Sequence, residues 1–410
     1  MNNKSALFTL FLVVLIDLLG FGIVLPLLPF YASQFNASPL AVGLLYSVYS
    51  LAQLVFSPFW GGLSDRIGRK PVMLVSIFGA FCAYILFGLS HSLAVLFISR
   101  IVAGVMGGNI STAQAYVADI TDHENRAKGM GLIGAAFGVG FMLGPAIATL
   151  LIHPAFHDFF RALGAPSLAN FLSLNRYALP GFFAAALSFI SLVLVYTCLP
   201  EPQRHAETDA TRIIRSSVFK KDFWGALFSP GQGLTLLLIS LFLLSLGQSS
   251  LYSAFPLFCK FELGLPAEKV GLQFAFMGLI AVLLQGGLIH PLQKAFGEKR
   301  LFITGCFLMA AGLALIPQAR SEKFLMAALA VMAVGGSLNG PTLNSLISKK
   351  APPGAVGRVL GGAQGLAALG RVIGPAWGGF LYPFSYKAPF VATALIVLLT
   401  VVAGFKLRKT

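Results

Sequence analysis

Charge is what this 410-residue chain has least of: 10% of its residues are Asp, Glu, Lys or Arg, against about 25% in an ordinary soluble domain. With 57% of residues hydrophobic, no water-soluble fold hides so much apolar surface. Cysteine is also sparse. The four cysteines, Cys82, Cys198, Cys259 and Cys306, are too scattered for a redox or metal motif, so they read as packing residues. The six histidines fall in or near loops, and no acid/base pair or metal cluster is evident inside the apolar runs. An enzymatic reading therefore has little to stand on, no resident metal or cofactor is implied, and no sizeable soluble domain is present for a sensor.

What the chain does have is long uncharged runs, such as Ala6 to Phe30, Val72 to Ser90 and Leu234 to Pro256. Each matches the roughly 20 residues of helix that cross a hydrocarbon core. The first run lacks a small-residue cleavage site and ends in Pro26 and Pro29, so it is expected to stay in the mature protein. Twelve spans are expected, at 7–28, 41–60, 72–90, 95–118, 130–152, 179–199, 233–256, 269–289, 301–318, 324–346, 359–381 and 388–406. The fold class is thus an all-α membrane protein whose natural partner is the lipid bilayer.

The net charge of +15 would raise the question of nucleic acid in a soluble protein, but position answers it. With the N-terminus inside, the cytoplasmic segments hold 20 Lys and Arg and the outer loops hold 7. That asymmetry predicts cytoplasmic termini by the positive-inside rule, and it explains the basic isoelectric point without nucleic acid. The one sustained polar segment near the middle, 201–231, divides an N-terminal six-helix bundle, 1–200, from a C-terminal one, 232–410. An outer stretch, PAFHDFFRALG from Pro154, alternates aromatic and polar residues and reads either as an interfacial amphipathic helix or as plain loop.

Internal repetition supports two related halves. A shift of 230 residues lays Gly131, Gly140, Gly144 and Pro145 on Gly361, Gly370, Gly374 and Pro375, and a shift of 225 lays Gly61, Gly62 and Leu63 on Gly286, Gly287 and Leu288. Repeated halves are a common build of secondary transporters, with the binding site near the bilayer midplane.

The loop GGLSDRIGRKPVML, from Gly61, combines turn-forming glycines with an acid set beside arginines. It resembles the motif between the second and third helices of the major facilitator superfamily. That resemblance assigns Gly61, Asp65, Arg66, Gly68, Arg69 and Lys70 to a conformational gate that locks the halves on the cytoplasmic side and so stabilises the outward-open state. The fifth span carries GAAFGVGFMLGP, with Gly134, Gly138, Gly140, Gly144 and Pro145. It is similar to the antiporter motif of exporter branches, with Ala148 in place of one glycine, while close helix packing by small residues is the plainer reading.

Ionisable groups inside a bilayer are costly and functional by default. Three lie deep here: Asp17 in the first span, Arg100 in the fourth and Arg371 in the eleventh. An isolated carboxyl in low dielectric is easier to protonate, so Asp17 is the candidate proton site, with Arg100 as its partner. The alternatives are a carboxyl that fixes packing, and arginines that snorkel or tie down helix carbonyls. The run IDLLGFGIVLPLLP, from Ile16, together with Gln53 and Arg100, is similar to tetracycline/proton antiporters and their relatives. The resemblance runs through the first five helices and then weakens. The third-span position that carries an acid in those pumps is Ala83 here, the ninth span has no acid, and the second-half partner of Asp65 is His290.

Gln53, Asn109, Gln114, Gln248, Asn339 and Arg371 are candidate cavity residues, as are Gln273, Gln285 and Asn344, with interhelical hydrogen bonding the alternative for each. The resemblance implies a proton-coupled exporter of drug-like small molecules, acting as a monomer in the inner or plasma membrane. A major facilitator transporter of one specific metabolite or siderophore, in either direction, remains the other expectation.

Overall fold

The structure is a computed structural model that describes residues 3–107, 109–121, 123–156, 162, 167, 175–202, 233–351 and 356–406. Most of the 201–231 linker and most of the PAFHDFFRALG stretch lie outside these residues. Fourteen described α-helices follow one another: α1 (Asn3–Gln34), α2 (Pro39–Ile67), α3 (Arg69–Gly88), α4 (Leu93–Met106), α5 (Asn109–Ile120), α6 (His123–Ile152), α7 (Ala178–Cys198), α8 (Leu234–Phe261), α9 (Ala267–Leu283), α10 (Ile289–Phe296), α11 (Glu298–Leu315), α12 (Glu322–Lys350), α13 (Val356–Leu381) and α14 (Ala388–Lys406). Helices α4 and α5 share one apolar span, as do α9 and α10, so helix stands at all twelve expected positions. Among the described residues, ten helical spans are long and apolar enough to cross a membrane.

Local chemistry explains the boundaries. Ser38, Ser92 and Ser321 cap α2, α4 and α12 by accepting a hydrogen bond from the backbone N–H three residues on, at 3.2, 3.4 and 3.3 Å, satisfying an otherwise orphaned donor. Asn36 takes a positive φ of 53° in the turn between α1 and α2. The first helix runs six residues past its expected end, through Pro26 and Pro29 to Gln34. Pro29 frees the carbonyl of Leu25 four residues back, and Tyr46 Oη donates to it at 2.5 Å; prolines persist in apolar helices when neighbouring groups satisfy the carbonyls they free.

The chain forms two compact units, Met1–Gln203 with Phe255–Leu279, and Arg204–Ala254 with Ile280–Thr410. In the first, a buried core of Val13, Val14, Ile77, Tyr116, Ala136 and Val195 draws on α1, α3, α5, α6 and α7. Glycines let backbones meet there: a Cβ on Gly144 would lie 2.7 Å from the Gly22 Cα, and one on Gly181 would lie 2.7 Å from the Gly88 nitrogen. The end of α8 and most of α9 join this unit. Thr149 donates to the Glu268 carbonyl at 3.0 Å, Arg176 pairs with the Glu268 carboxylate, and Gly271 packs on Thr149 and the Pro145 carbonyl.

The second unit uses the same device. Gly335 packs on the Gly305 carbonyl and the Met309 nitrogen, joining α11 to α12, and Gly370 and Gly374 seat α13 against α8. Outward-facing side chains such as Phe8, Phe78, Leu150, Tyr196 and Leu395 are 54 to 70% exposed. An apolar exterior over a packed interior suits a lipid solvent.

Candidate functional site

Two constellations stand out in the first unit, one at mid-helix and one at the cytoplasmic helix ends expected from the charge pattern. The first surrounds Asp17. Gly20 lies three residues further on the same helix face, and a Cβ there would stand 2.6 Å from Tyr84 Oη. Tyr84 interacts electrostatically with Asp17, Tyr49 and Arg100, which brings α1, α2, α3 and α4 into one cluster. Arg100 is 3% exposed. Its guanidinium lies 5.0 Å from the Phe87 ring centroid, its Nε reaches Ser99 Oγ at 3.4 Å, and its Nη2 has no hydrogen-bond partner among the described residues. A small void beside it is lined by Phe21, Leu25, Tyr46 and Tyr49.

Such a cluster has a chemical capacity that a packing residue lacks. A half-buried carboxyl within electrostatic reach of a buried phenol can exist in two protonation states whose balance its neighbours set. Burial also makes the unpartnered guanidinium nitrogen expensive to leave as it is.

The second constellation is built on Arg69, which is 6% exposed. Its guanidinium pairs with Asp65, donates to Asp119 Oδ2 at 2.8 Å and donates to Ser64 Oγ at 2.7 Å. Helix α2 closes at Gly68, whose φ of 113° is open to glycine, and a Cβ there would collide with the Glu201 carboxylate at 2.9 Å. That carboxylate accepts from the Arg69 and Lys70 backbone N–H groups at 2.7 and 2.9 Å. It therefore caps α3 with the charge its N-terminus prefers. Lys70 Nζ donates to the Tyr196 carbonyl at 2.8 Å. Arg66 is exposed, Gly61 is half-buried, and the space a Cβ on Gly61 would fill is open.

Asp119 and Glu201 were not singled out in the sequence. The signal was present: each is an acid just past the end of an apolar run, on the side where bases predominate. Tyr84 was missed as well, since an aromatic inside an apolar helix carries no local mark.

The other expected residues are dispersed. Gly140 packs on Leu18 and Gly144 on Gly22; Pro145 is buried and Gly138 half-buried, and Gly134 faces open space. Gln53 Nε2 donates to the Gly107 carbonyl at 3.3 Å. Beside it, Trp60 donates to the Val105 carbonyl at 2.5 Å and Ser76 donates to that of Met106. Three side chains thus collect the carbonyls freed where α4 ends. Gln114 and Gln248 are exposed, and the side chain of Asn109 lies outside the described residues. Asn339 is 3% exposed and packs on Gly305 and Cys306. Arg371 interacts electrostatically with Tyr252 of α8.

The Major Facilitator Superfamily family model matches residues 10–295 and 237–410. The chain is 28% identical to the class H tetracycline resistance protein of Pasteurella multocida, covering 100% of this chain and 98% of that one. It is also 28% identical to multidrug resistance protein 1 of Bacillus subtilis (strain 168), covering 98% and 97%. Among solved structures, a bacterial homologue of the human lysosomal transporter Spinster, inward-facing and occupied, superposes with a TM-score of 0.80 at 15% identity, covering 98% and 96%. Helix at all twelve expected positions, the repeated glycine crossings and the motif-bearing loop agree with these matches, and the chain belongs to the major facilitator superfamily, as a membrane transporter rather than an enzyme.

Proposed function

We propose that this transporter exports drug-like amphipathic compounds in exchange for protons, by alternating access of two six-helix bundles, 1–200 and 232–410, joined by the linker 201–231. The observation that carries this reading is the setting of Asp17: a carboxyl at mid-helix within electrostatic reach of Tyr84, which also senses Tyr49 and Arg100. The names of the relatives, tetracycline resistance and multidrug resistance, support export as the direction.

In this mechanism Asp17 takes a proton from the outer side and releases it to the cytoplasm, while Arg100 biases its charge. The loop residues Gly61, Asp65, Arg66, Gly68, Arg69 and Lys70 gate the cytoplasmic side through the Arg69 network. The α6 motif, Gly134 to Pro145, supports the exporter cycle, with Gly140 and Gly144 packing on α1. Gln53, Asn109, Gln114, Gln248, Asn339 and Arg371 are proposed as cavity residues. The protein works as a monomer in the inner or plasma membrane with both termini cytoplasmic. One proton crossing ~150 mV supplies roughly 3.5 kcal/mol, enough at about 1.4 kcal/mol per decade for a gradient of a few hundredfold.

The test is proton-gradient-driven uptake into inverted vesicles, with a probe panel that includes tetracycline and a lipophilic cationic dye, comparing wild type with Asp17→Asn. Coupled uptake is expected to vanish in the variant. Unchanged pH-driven uptake would refute the assignment of Asp17.

A further inference from the structure

The phenol beside the proton site has a place made for it. Tyr84 is 5% exposed, and the tip of its ring occupies the notch that Gly20 leaves on α1: a Cβ at Gly20 would stand 2.6 Å from Oη and 2.8 Å from Cζ. A side chain at position 20 would displace the hydroxyl from this place. Positions 17 and 20 are neighbours on one helix face, about 5–6 Å apart at Cβ, so the hydroxyl is delivered to the strip of α1 that carries the carboxyl. Its electrostatic partners are Asp17, Tyr49 and Arg100.

The surrounding ionisable groups narrow the choice. On α2, Tyr46 donates its hydroxyl to the Leu25 carbonyl at 2.5 Å, and the Tyr49 ring lies tilted against Phe21 with centroids 5.2 Å apart. On α4 the one such group is Arg100. On α5, Tyr116 donates to the Pro200 carbonyl at 2.6 Å, while Asp119 holds Arg69. Residues 129–152 of α6 and 178–195 of α7 contain no ionisable side chain.

We infer that Tyr84 is a positioning residue of the proton site: its hydroxyl donates to the Asp17 carboxylate and sets the pH at which that carboxyl takes up its proton. The inference rests on Asp17 being the proton site. Uptake adds one proton to a carboxylate oxygen and breaks no heavy-atom bond. Tyr84 keeps its own proton throughout, because a phenol titrates near pH 10 and is a poor source at neutral pH. A donor to the charged form of an acid favours that form. Removing the hydroxyl therefore eases protonation and moves the midpoint to higher pH.

The experiment needs no transported solute. The full chain in phospholipid vesicles is titrated by infrared absorption, following the protonated-carboxyl C=O band that is lost in Asp17→Asn. Tyr84→Phe retains the ring and its packing, and Gly20→Ala pushes the hydroxyl out of its notch. Tyr84→Phe is expected to raise the midpoint by about one pH unit, and Gly20→Ala to move it the same way. If the Tyr84→Phe midpoint coincides with wild type or falls below it, while Asp17→Asn still removes the band, the ring is only packing and Asp17 stands as the proton site. If no titrating band depends on Asp17, the parent reading fails, and this inference fails with it.

Discussion

The two glycine crossings, α1 with α6 and α8 with α13, share a scaffold and differ in chemistry. Gly144 meets the Gly22 backbone in the first, and Gly374, 230 residues later, meets Ser249 Oγ and the Leu246 carbonyl in the second. The first contact is apolar, framed by Leu18 and Gly22. The second is laced by serines on successive turns of α8: Ser245 donates to the Ala367 carbonyl at 2.6 Å, Ser249 to Gly370 at 3.1 Å and Ser253 to Pro375 at 2.8 Å. Helix α8 thus spends its polar groups on holding its partner. Helix α1 meets its partner there through close approach at Leu18 and Gly22.

The motif-bearing loop and its second-half copy diverge in the same sense. Seven residues separate Gly61 from Gly68, whereas eleven separate Gly286 from Gly297, and the longer copy contains a π-helical turn, Leu284–Leu288. A π-turn absorbs extra residues in a helix and often marks a specialised site. The first loop ends in the buried Arg69 network. The second has a partly exposed contact, with Lys349 donating to Glu298 at 2.9 Å and 62% exposed. Duplicated scaffolds therefore preserve close approach while their polar groups drift to separate tasks.

Substitutions at equivalent positions would sharpen or break this contrast. The largest effect is expected from Gly144→Val and Gly374→Val, since the atoms in the way include backbone and cannot swing aside; each should cost up to about 3 kcal/mol, seen as loss of folded protein on heating in detergent. Tolerance at one site alone would show that the two crossings are not equivalent. Next comes Arg69→Gln, which strands Asp65 and Asp119 at a site they expose by 20 and 24%. A cost of about 2 kcal/mol is expected, below the range for a fully buried pair, and a denaturation midpoint equal to wild type would contradict it.

Smaller changes test the serines. Ser245→Ala, Ser249→Ala and Ser253→Ala should each cost about 0.6 kcal/mol, the average for interhelical hydrogen bonds in a membrane protein, and the triple variant should unfold before any single one. The least effect is expected from Lys349→Ala, below about 1 kcal/mol, because an exposed ion pair is screened by water and salt. A loss as large as that of Arg69→Gln would mean the second loop carries as much structural weight as the first.

Much of this organisation is legible in the residues. Apolar length places the helices, and the 230-residue shift of Gly140, Gly144 and Pro145 marks both crossings. The first helix was placed too short, since Pro26 and Pro29 look like a stop, yet α1 continues through them to Gln34. Of the candidate cavity residues, Asn339 lies in a buried contact with Gly305 and Cys306, while Gln114 and Gln248 are exposed. Asp119 and Glu201 escaped notice because their partner Arg69 is 50 and 132 residues away.

The sequence by itself determined the helical class, the repeat and the acid-poor interior. Transfer of apolar side chains and backbone into lipid is a local sum, taken over some twenty residues at a time. Tertiary structure alone decided that Tyr84 enters the Gly20 notch, that Glu201 caps α3 and that three serines of α8 find carbonyls on α13. Those outcomes depend on which helix faces meet and in what register. No window of neighbouring residues holds that information.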